Sequence, residues 1–211
     1  NIPIRIGVNS GSLERDILEK YGFVTAEGLA ESALRNIDYI ENMGYDNLVI
    51  SIKSPHVRLN YDAHLILADK TNHPFHIGIT EAGTVHHGKV KSAVGIGSLL
   101  LAGIGDTIRV SLTGDPVNEV IFGKEILKAA GIREEGIELI SCPTCGRCSV
   151  DLVAIASEIE NELEKLSARK HLCVAVMGCE VNGPGEAREA DIGVAFGKGK
   201  AVLFRKGVLI K

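Results

Sequence analysis

Tryptophan is absent from this sequence, and phenylalanine and tyrosine are scarce, so that aromatic residues make up only 4% of it. Hydrophobic residues still reach 45%, ample for a core, so the apolar mass must come from Ile, Leu, Val and Ala. A basic excess is lacking too: the formal net charge is −4, which argues against general affinity for nucleic acid. No apolar run reaches the roughly 18–20 residues that span a bilayer. The longest candidate, Ala93 to Ile104, is interrupted by Gly95, Gly97 and Gly103. No basic-then-apolar secretory segment opens the chain. The five cysteines are an odd number without such a segment, so the thiols are expected to serve metals or chemistry in a reducing compartment, the cytoplasm. An initiating Met is also missing, and the strand-like Ile2 to Val8 follows Asn1 at once, the pattern expected of a fragment.

What is present begins with repetition. Four β-branched runs, Ile2–Val8, Leu48–Ile52, Phe75–Thr80 and Thr107–Leu112, are each followed by a helix-like stretch. Thr25 to Met43 carries Leu29, Ala33, Ile37 and Ile40 at helical spacing. Leu59 to Lys70 and Lys89 to Ala102 follow suit, and Asp115-Pro116 is an N-cap with proline at the first helical position. Each strand has one apolar face and one polar or small face. Arg5, Gly7 and Asn9 share such a face, as do Ser51 and Lys53, His76, Gly78 and Thr80, and Thr107, Arg109 and Ser111. Strands covered by helices on both sides would be apolar on both faces. A recurrent polar face fits the inside of a barrel, with a site at the strand C-termini. The fold expected is therefore α/β: a partial (β/α) TIM-type barrel of four units over residues 1–131. A small α+β domain over 137–211 follows, with strand Ile137–Ile140, helix Val150–Leu166, strand Leu172–Met177 and two strands around Gly197-Lys198-Gly199. Glu158, Glu160, Glu162 and Glu164 read as the solvated face of that helix.

The sharpest chemical signal is Cys142-Pro143-Thr144-Cys145, with Cys179 following in a glycine-rich loop. A C-x-x-C loop closes two thiolates onto one metal or cluster edge, and zinc, redox disulfides and iron–sulfur clusters all use it. Zinc usually adds a second such pair or two histidines. Three cysteines suit a cubane cluster with three protein thiolates and one irregular position. Cys148 extends the loop toward a ferredoxin-like run, but the Cys-Pro that should follow is missing. Cys173 alternates within a hydrophobic strand and reads as a small buried hydrophobe.

A second signal is cationic. Arg5, Lys53 and Arg109 lie on equivalent polar strand faces beside Asn9 and Ser111, with few acids to neutralise them. One inward arginine could be a structural ion pair, but three point to a polyanion such as a diphosphate. Glu81, just past the third strand, could balance an arginine or move a proton. His86-His87 reads as an exposed loop pair, His56, His64 and His73 as surface or helix residues, and His76 as a minor candidate on the polar face. Gly95-x-Gly97 and Gly103-x-Gly105 lack the full dinucleotide fingerprint.

Five motifs occur in order: Ile4-Arg5-Ile6-Gly7-Val8-Asn9-x-Gly11-Ser12, Gly78-Ile79-Thr80-Glu81-Ala82-Gly83, Gly105-Asp106-Thr107-Ile108-Arg109-Val110-Ser111-Leu112, Cys142-Pro143-Thr144-Cys145 and Asn182-Gly183-Pro184-Gly185-Glu186. Together they closely resemble the 4-hydroxy-3-methylbut-2-enyl diphosphate synthase family of the methylerythritol phosphate route to isoprenoids. The resemblance implies a (β/α)8 barrel joined to a domain carrying a [4Fe–4S] cluster. It implies an iron–sulfur oxidoreductase that opens and dehydroxylates 2-C-methyl-D-erythritol 2,4-cyclodiphosphate with electrons from ferredoxin or flavodoxin. Carried over by position, Cys142, Cys145 and Cys179 become cluster ligands and Glu186 the fourth, a labile carboxylate that can yield its iron to substrate. Arg5, Asn9, Lys53, Arg109 and Ser111 become diphosphate-binding residues and Glu81 a proton-transfer residue. The family forms homodimers. The first four strands of its barrel have no counterpart here, so the 211 residues alone are expected to be inactive. The competing expectation is a non-catalytic module with zinc on Cys142, Cys145, Cys148 and Cys179.

Overall fold

Alternating faces become four parallel strands, β1 (Ile4–Asn9), β2 (Leu48–Lys53), β3 (His76–Gly78) and β4 (Thr107–Arg109). β1 pairs with β2 and β3 with β4, and an isolated parallel bridge from Ile50 to Phe75 joins the two pairs. The strands thus follow one another in chain order, as in successive units of a (β/α) barrel. In this computed structural model residues 2–166, 171–179, 181, 183–197 and 199–210 are described, and the chain divides into two units, Asn1–Arg133 and Glu134–Lys211.

Between and after the strands come α1 (Arg15–Tyr21), α2 (Ala26–Glu41), α3 (Val57–Ala68), α4 (Val85–Leu101) and α5 (Pro116–Ala129). The Asp115 cap is the one the sequence calls for, and Thr25 adds another. Thr25 Oγ1 accepts the Gly28 amide at 3.0 Å, and Asp115 accepts the Val117 amide at 2.9 Å ahead of Pro116. The apolar strand faces and the helix stripes close on one core that includes Ile6, Leu29, Ile50, Leu67, Ile77 and Leu99. Full burial of such side chains stabilises by about 1.5–3 kcal/mol each.

Several features differ from expectation. α1 is unforeseen because a seven-residue helix with one buried side chain, Ile17, has too little periodicity to show. Contacts with α2 hold it: Lys20 and Tyr21 both reach Glu31, and Arg35 pairs with Asp16. β3 and β4 are shorter than their β-branched runs, since pairing stops where the chain turns toward the helices. His64 is not at the surface but fully buried in α3, its ring edge-on to Phe75 at 5.8 Å and its Nδ1 2.7 Å from the Asn60 carbonyl oxygen. Burial pulls its imidazole down to about 4.

The second unit is a five-stranded sheet in chain order: β5 (Ile137–Ser141), β6 (Leu172–Met177), β7 (Ile192–Gly197), β8 (Lys200–Arg205) and β9 (Val208–Leu209). The first three are parallel and the last two join antiparallel. α6 (Leu152–Glu164) links β5 to β6, with Glu158, Glu160 and Glu162 facing solvent. α7 (Gly183–Glu186) follows β6, where glycine and proline had masked a helical turn. The core here is small: Ala175, Met177, Ala187, Ala190, Ala195 and Phe204, with Cys142 and Cys173 packed against it. No described helix is long and apolar enough to cross a membrane.

Candidate functional site

Strand register decides which polar side chains of the first unit meet. β1 and β2 set Gly7 against Ser51 and Asn9 against Lys53, while β3 and β4 set His76 against Thr107 and Gly78 against Arg109. Extending the Ile50–Phe75 bridge along both strands aligns Lys53 with Gly78. The polar face is therefore stacked in rows. One holds Gly7, Ser51, His76 and Thr107; the next, toward the strand C-termini, holds Asn9, Lys53, Gly78 and Arg109.

That second row explains its glycine. A Cβ on Gly78 would come within 2.5 Å of the Arg109 carbonyl oxygen, and without one no side chain stands between Lys53 and Arg109. Lys53 is only 5% exposed, and its Nζ donates to Ser51 Oγ at 2.7 Å. Burial, then the charges of Arg109 and Arg5, hold its ammonium down at about 7. Arg109 Nη2 donates to Thr80 Oγ1 at 3.4 Å, a long contact, and its buried Nε has no partner. Arg5 and Asn9 are exposed on β1, and Ser111 is half-buried just beyond β4. Among the described residues none of Arg5, Lys53 and Arg109 forms an ion pair.

Two groups flank this row, one in the row before it and one past the end of β3. His76 Nδ1 lies 2.8 Å from Thr107 Oγ1, and Nε2 is buried without a partner. Burial, followed by Lys53, Arg5 and Arg109, draws the imidazole down to about 4, so it is neutral at physiological pH. Glu81 is exposed with φ of 51°, a left-handed conformation costing a non-glycine residue about 1–2 kcal/mol. Its loop is held against the next one by a Thr84–Thr113 bridge and by the Thr113 amide donating to the Gly83 carbonyl at 3.1 Å.

In the second unit β5 delivers Cys142, and β6 delivers Gly178-Cys179 beside it. The Gly178 amide donates to Cys142 Sγ at 3.2 Å. A turn in which the Cys148 amide donates to the Cys145 carbonyl, at 2.9 Å, folds the loop back. Cys148 Sγ rests on Gly178, 2.6 Å from where a Cβ would stand, and its thiol donates to the Val150 carbonyl at 3.3 Å. Cys179 is 9% exposed, Cys142 half-buried and Cys145 exposed, and none of the five cysteines is in a disulfide. Burial, then Glu138 and Asp191, raise the Cys173 thiol, in keeping with an inert packing residue. Glu186 ends α7, but its side chain lies outside the described part, as does Asn182. Among the described residues no three His, Cys, Asp or Glu side chains stand together as a site for a single metal ion.

Residues 1–124 match the GcpE TIM-barrel domain and residues 138–211 the GcpE protein C-terminal domain. The chain belongs to the GcpE family. It is 59% identical over 211 residues to the 4-hydroxy-3-methylbut-2-en-1-yl diphosphate synthase (flavodoxin) of Clostridium acetobutylicum, covering all of this chain and 60% of that protein. The proteins of the same name from Geobacter sulfurreducens and Fusobacterium nucleatum are 57% and 51% identical, each covering all of this chain and 59% of the relative. The chain thus spans about 60% of the length of the curated relatives it matches.

Within the GcpE framework, the expected partial barrel followed by a mixed α/β domain is the architecture found. The thiol loop also fits an iron–sulfur group on an observation of its own. The Gly178 amide donates to Cys142 Sγ, the kind of outer contact that orients a sulfur ligand, and no disulfide competes for that sulfur. Gly78 and Thr80 are the residues of the GcpE barrel that strand faces alone did not single out. Register places Gly78 between two cations, and a hydrogen bond sets Thr80 against Arg109.

Proposed function

We propose that the protein of which this chain is part reductively opens 2-C-methyl-D-erythritol 2,4-cyclodiphosphate to 4-hydroxy-3-methylbut-2-enyl diphosphate. The observation that carries this reading is Lys53, a 95%-covered cation aligned with two arginine-bearing strands and paired with no carboxylate among the described residues. Buried cations without anions are costly, and a ligand diphosphate supplies the missing charge. Arg5, Lys53 and Arg109 hold that diphosphate, and Asn9 and Ser111 orient it. In balance, two electrons and one proton convert the cyclic dianion to the open trianion and water. Glu81, fixed at the strand end, moves the proton that leaves in the water.

Cys142, Cys145, Cys179 and Glu186 are the residues that would hold a [4Fe–4S] cluster, which when bound supplies electrons singly. Flavodoxin, which the names of the relatives specify, is the electron donor, with ferredoxin the alternative. A homodimer is the proposed assembly. Anaerobic reconstitution with iron and sulfide is the test: a broad visible absorbance with four irons per chain is expected, and Cys142→Ser should lose it. Colourless, anaerobically purified protein with stoichiometric zinc would instead favour the zinc module.

A further inference from the structure

The cation row is not a fixed charge. Lys53 is buried, and its hydrogen-bond partner is a hydroxyl, Ser51 Oγ at 2.7 Å. A hydroxyl accepts from an ammonium and donates to an amine equally well, so this partner tolerates either form of the lysine without rearrangement. A carboxylate partner would have locked the ammonium in place, and none is paired with Lys53 among the described residues. No titratable or charged group acting on Lys53 favours its ammonium. Arg5 on β1 and Arg109 on β4 repel its charge, His76 on β3 is neutral, and His64 on α3 is neutral. Gly78 leaves the position between Lys53 and Arg109 in the row without a side chain, so a bound anion can lie against both.

We infer that Lys53 takes up a proton from solvent when a diphosphate binds, so the site gains its third positive charge on binding its ligand rather than carrying it permanently. The inference rests on the diphosphate reading of the row. An anion beside Lys53 replaces the repulsion of two arginines with attraction, which favours the ammonium. The value near 7 in the free protein places the transition within the neutral range. The device also suits the reaction proposed above, in which the ligand gains one negative charge as the ring opens. An ammonium secured on binding is then present to meet that added charge.

The experiment is calorimetric titration of the protein with dimethyl diphosphate, esterified once on each phosphorus, a dianion that has no proton of its own to exchange near neutrality. Titrations run from about pH 7 to 9 in buffers of differing ionisation enthalpy. Expected are uptake of close to one proton at the upper end and an affinity that falls about tenfold per pH unit. Lys53→Arg should retain binding but lose both the uptake and the slope. In the unsubstituted protein, the Lys53 Cε carbon resonance should titrate near neutrality and shift to the charged position on adding ligand, a readout needing no variant. Binding without proton uptake, or uptake that persists in Lys53→Arg, overturns the inference and leaves the diphosphate reading standing. Failure to bind at all removes the diphosphate reading itself.

Discussion

The two units carry their chemistry in opposite ways. In Asn1–Arg133 the polar groups stand on β-strands, and their spacing follows from ladder register and a continuous core. In Glu134–Lys211 Cys142, Cys145, Cys148 and Cys179 stand on loops at strand ends, over a core of four alanines, Met177 and Phe204. A rigid strand platform suits a group that must hold a fixed anion geometry. Loops can close around a bulky inorganic group after the sheet has formed, because metal binding itself supplies folding free energy. The contrast predicts that ligand-site substitutions in the first unit cost binding, and those in the second cost assembly.

The largest effect belongs to the second unit. Cys142→Ser should abolish the reconstituted visible absorbance, because a hydroxyl replaces the sulfur to which the Gly178 amide donates. Normal cluster assembly in that variant would erase the contrast. Next comes the first unit, where Arg109→Met should weaken diphosphate binding by about 2 kcal/mol or more, at least tenfold, measured by calorimetry. The sheet should survive, since Arg109 contributes a long Thr80 contact and an unpartnered Nε to stability.

How much of this was legible in the sequence differs between the units for the same reason. Period-two alternation placed Arg5, Lys53 and Arg109 on one face, because a strand leaves no choice about where side chains point. It could not show that Lys53 is buried, nor that Gly78 aligns with it, since both depend on cross-strand register. His64 was legible as a helix residue but not as a buried one, because a histidine in a helix gives no local sign of burial; only packing on Phe75 does. In the second unit the C-x-x-C spacing marked the thiols, but Cys148 gave no hint that it rests on Gly178, many residues downstream. Helix α7 was hidden because Gly-Pro-Gly has poor intrinsic helix propensity, and tertiary packing overrides it.

Glycine substitutions sharpen the comparison. Gly78→Ala sets a Cβ against the backbone oxygen of Arg109 at 2.5 Å, which only a shifted strand can relieve. A loss of about 2–3 kcal/mol in chemical denaturation is expected. Gly178→Ala meets a side chain instead, Cys148 Sγ at 2.6 Å, and a side chain can turn away. About 1–2 kcal/mol is expected there. Cys148→Ala should restore most of it, and failure of that rescue would make Leu152, whose Cδ2 stands 3.0 Å from the added Cβ, the constraint.

The smallest effect tests whether the strand platform is strained by its own charge. Lys53 has a folded-state value near 7 against 10.5 for an ordinary lysine. Below pH 7 both folded and unfolded chains carry the charge, and the folded state bears the full burial penalty. As pH rises through 7 the folded chain releases the proton while the unfolded chain keeps it until about 10.5, so stability rises across that window. Lys53→Met removes the penalty and should be more stable than the unsubstituted protein at pH 7. Between pH 7 and 8 its advantage should shrink by about 1 kcal/mol, read as the difference between two denaturation curves at each pH. A constant or growing advantage would mean that Lys53 stays protonated in the free protein, so the row would hold three permanent charges. The rigid unit would then bear a cost of function that the loop-built unit does not.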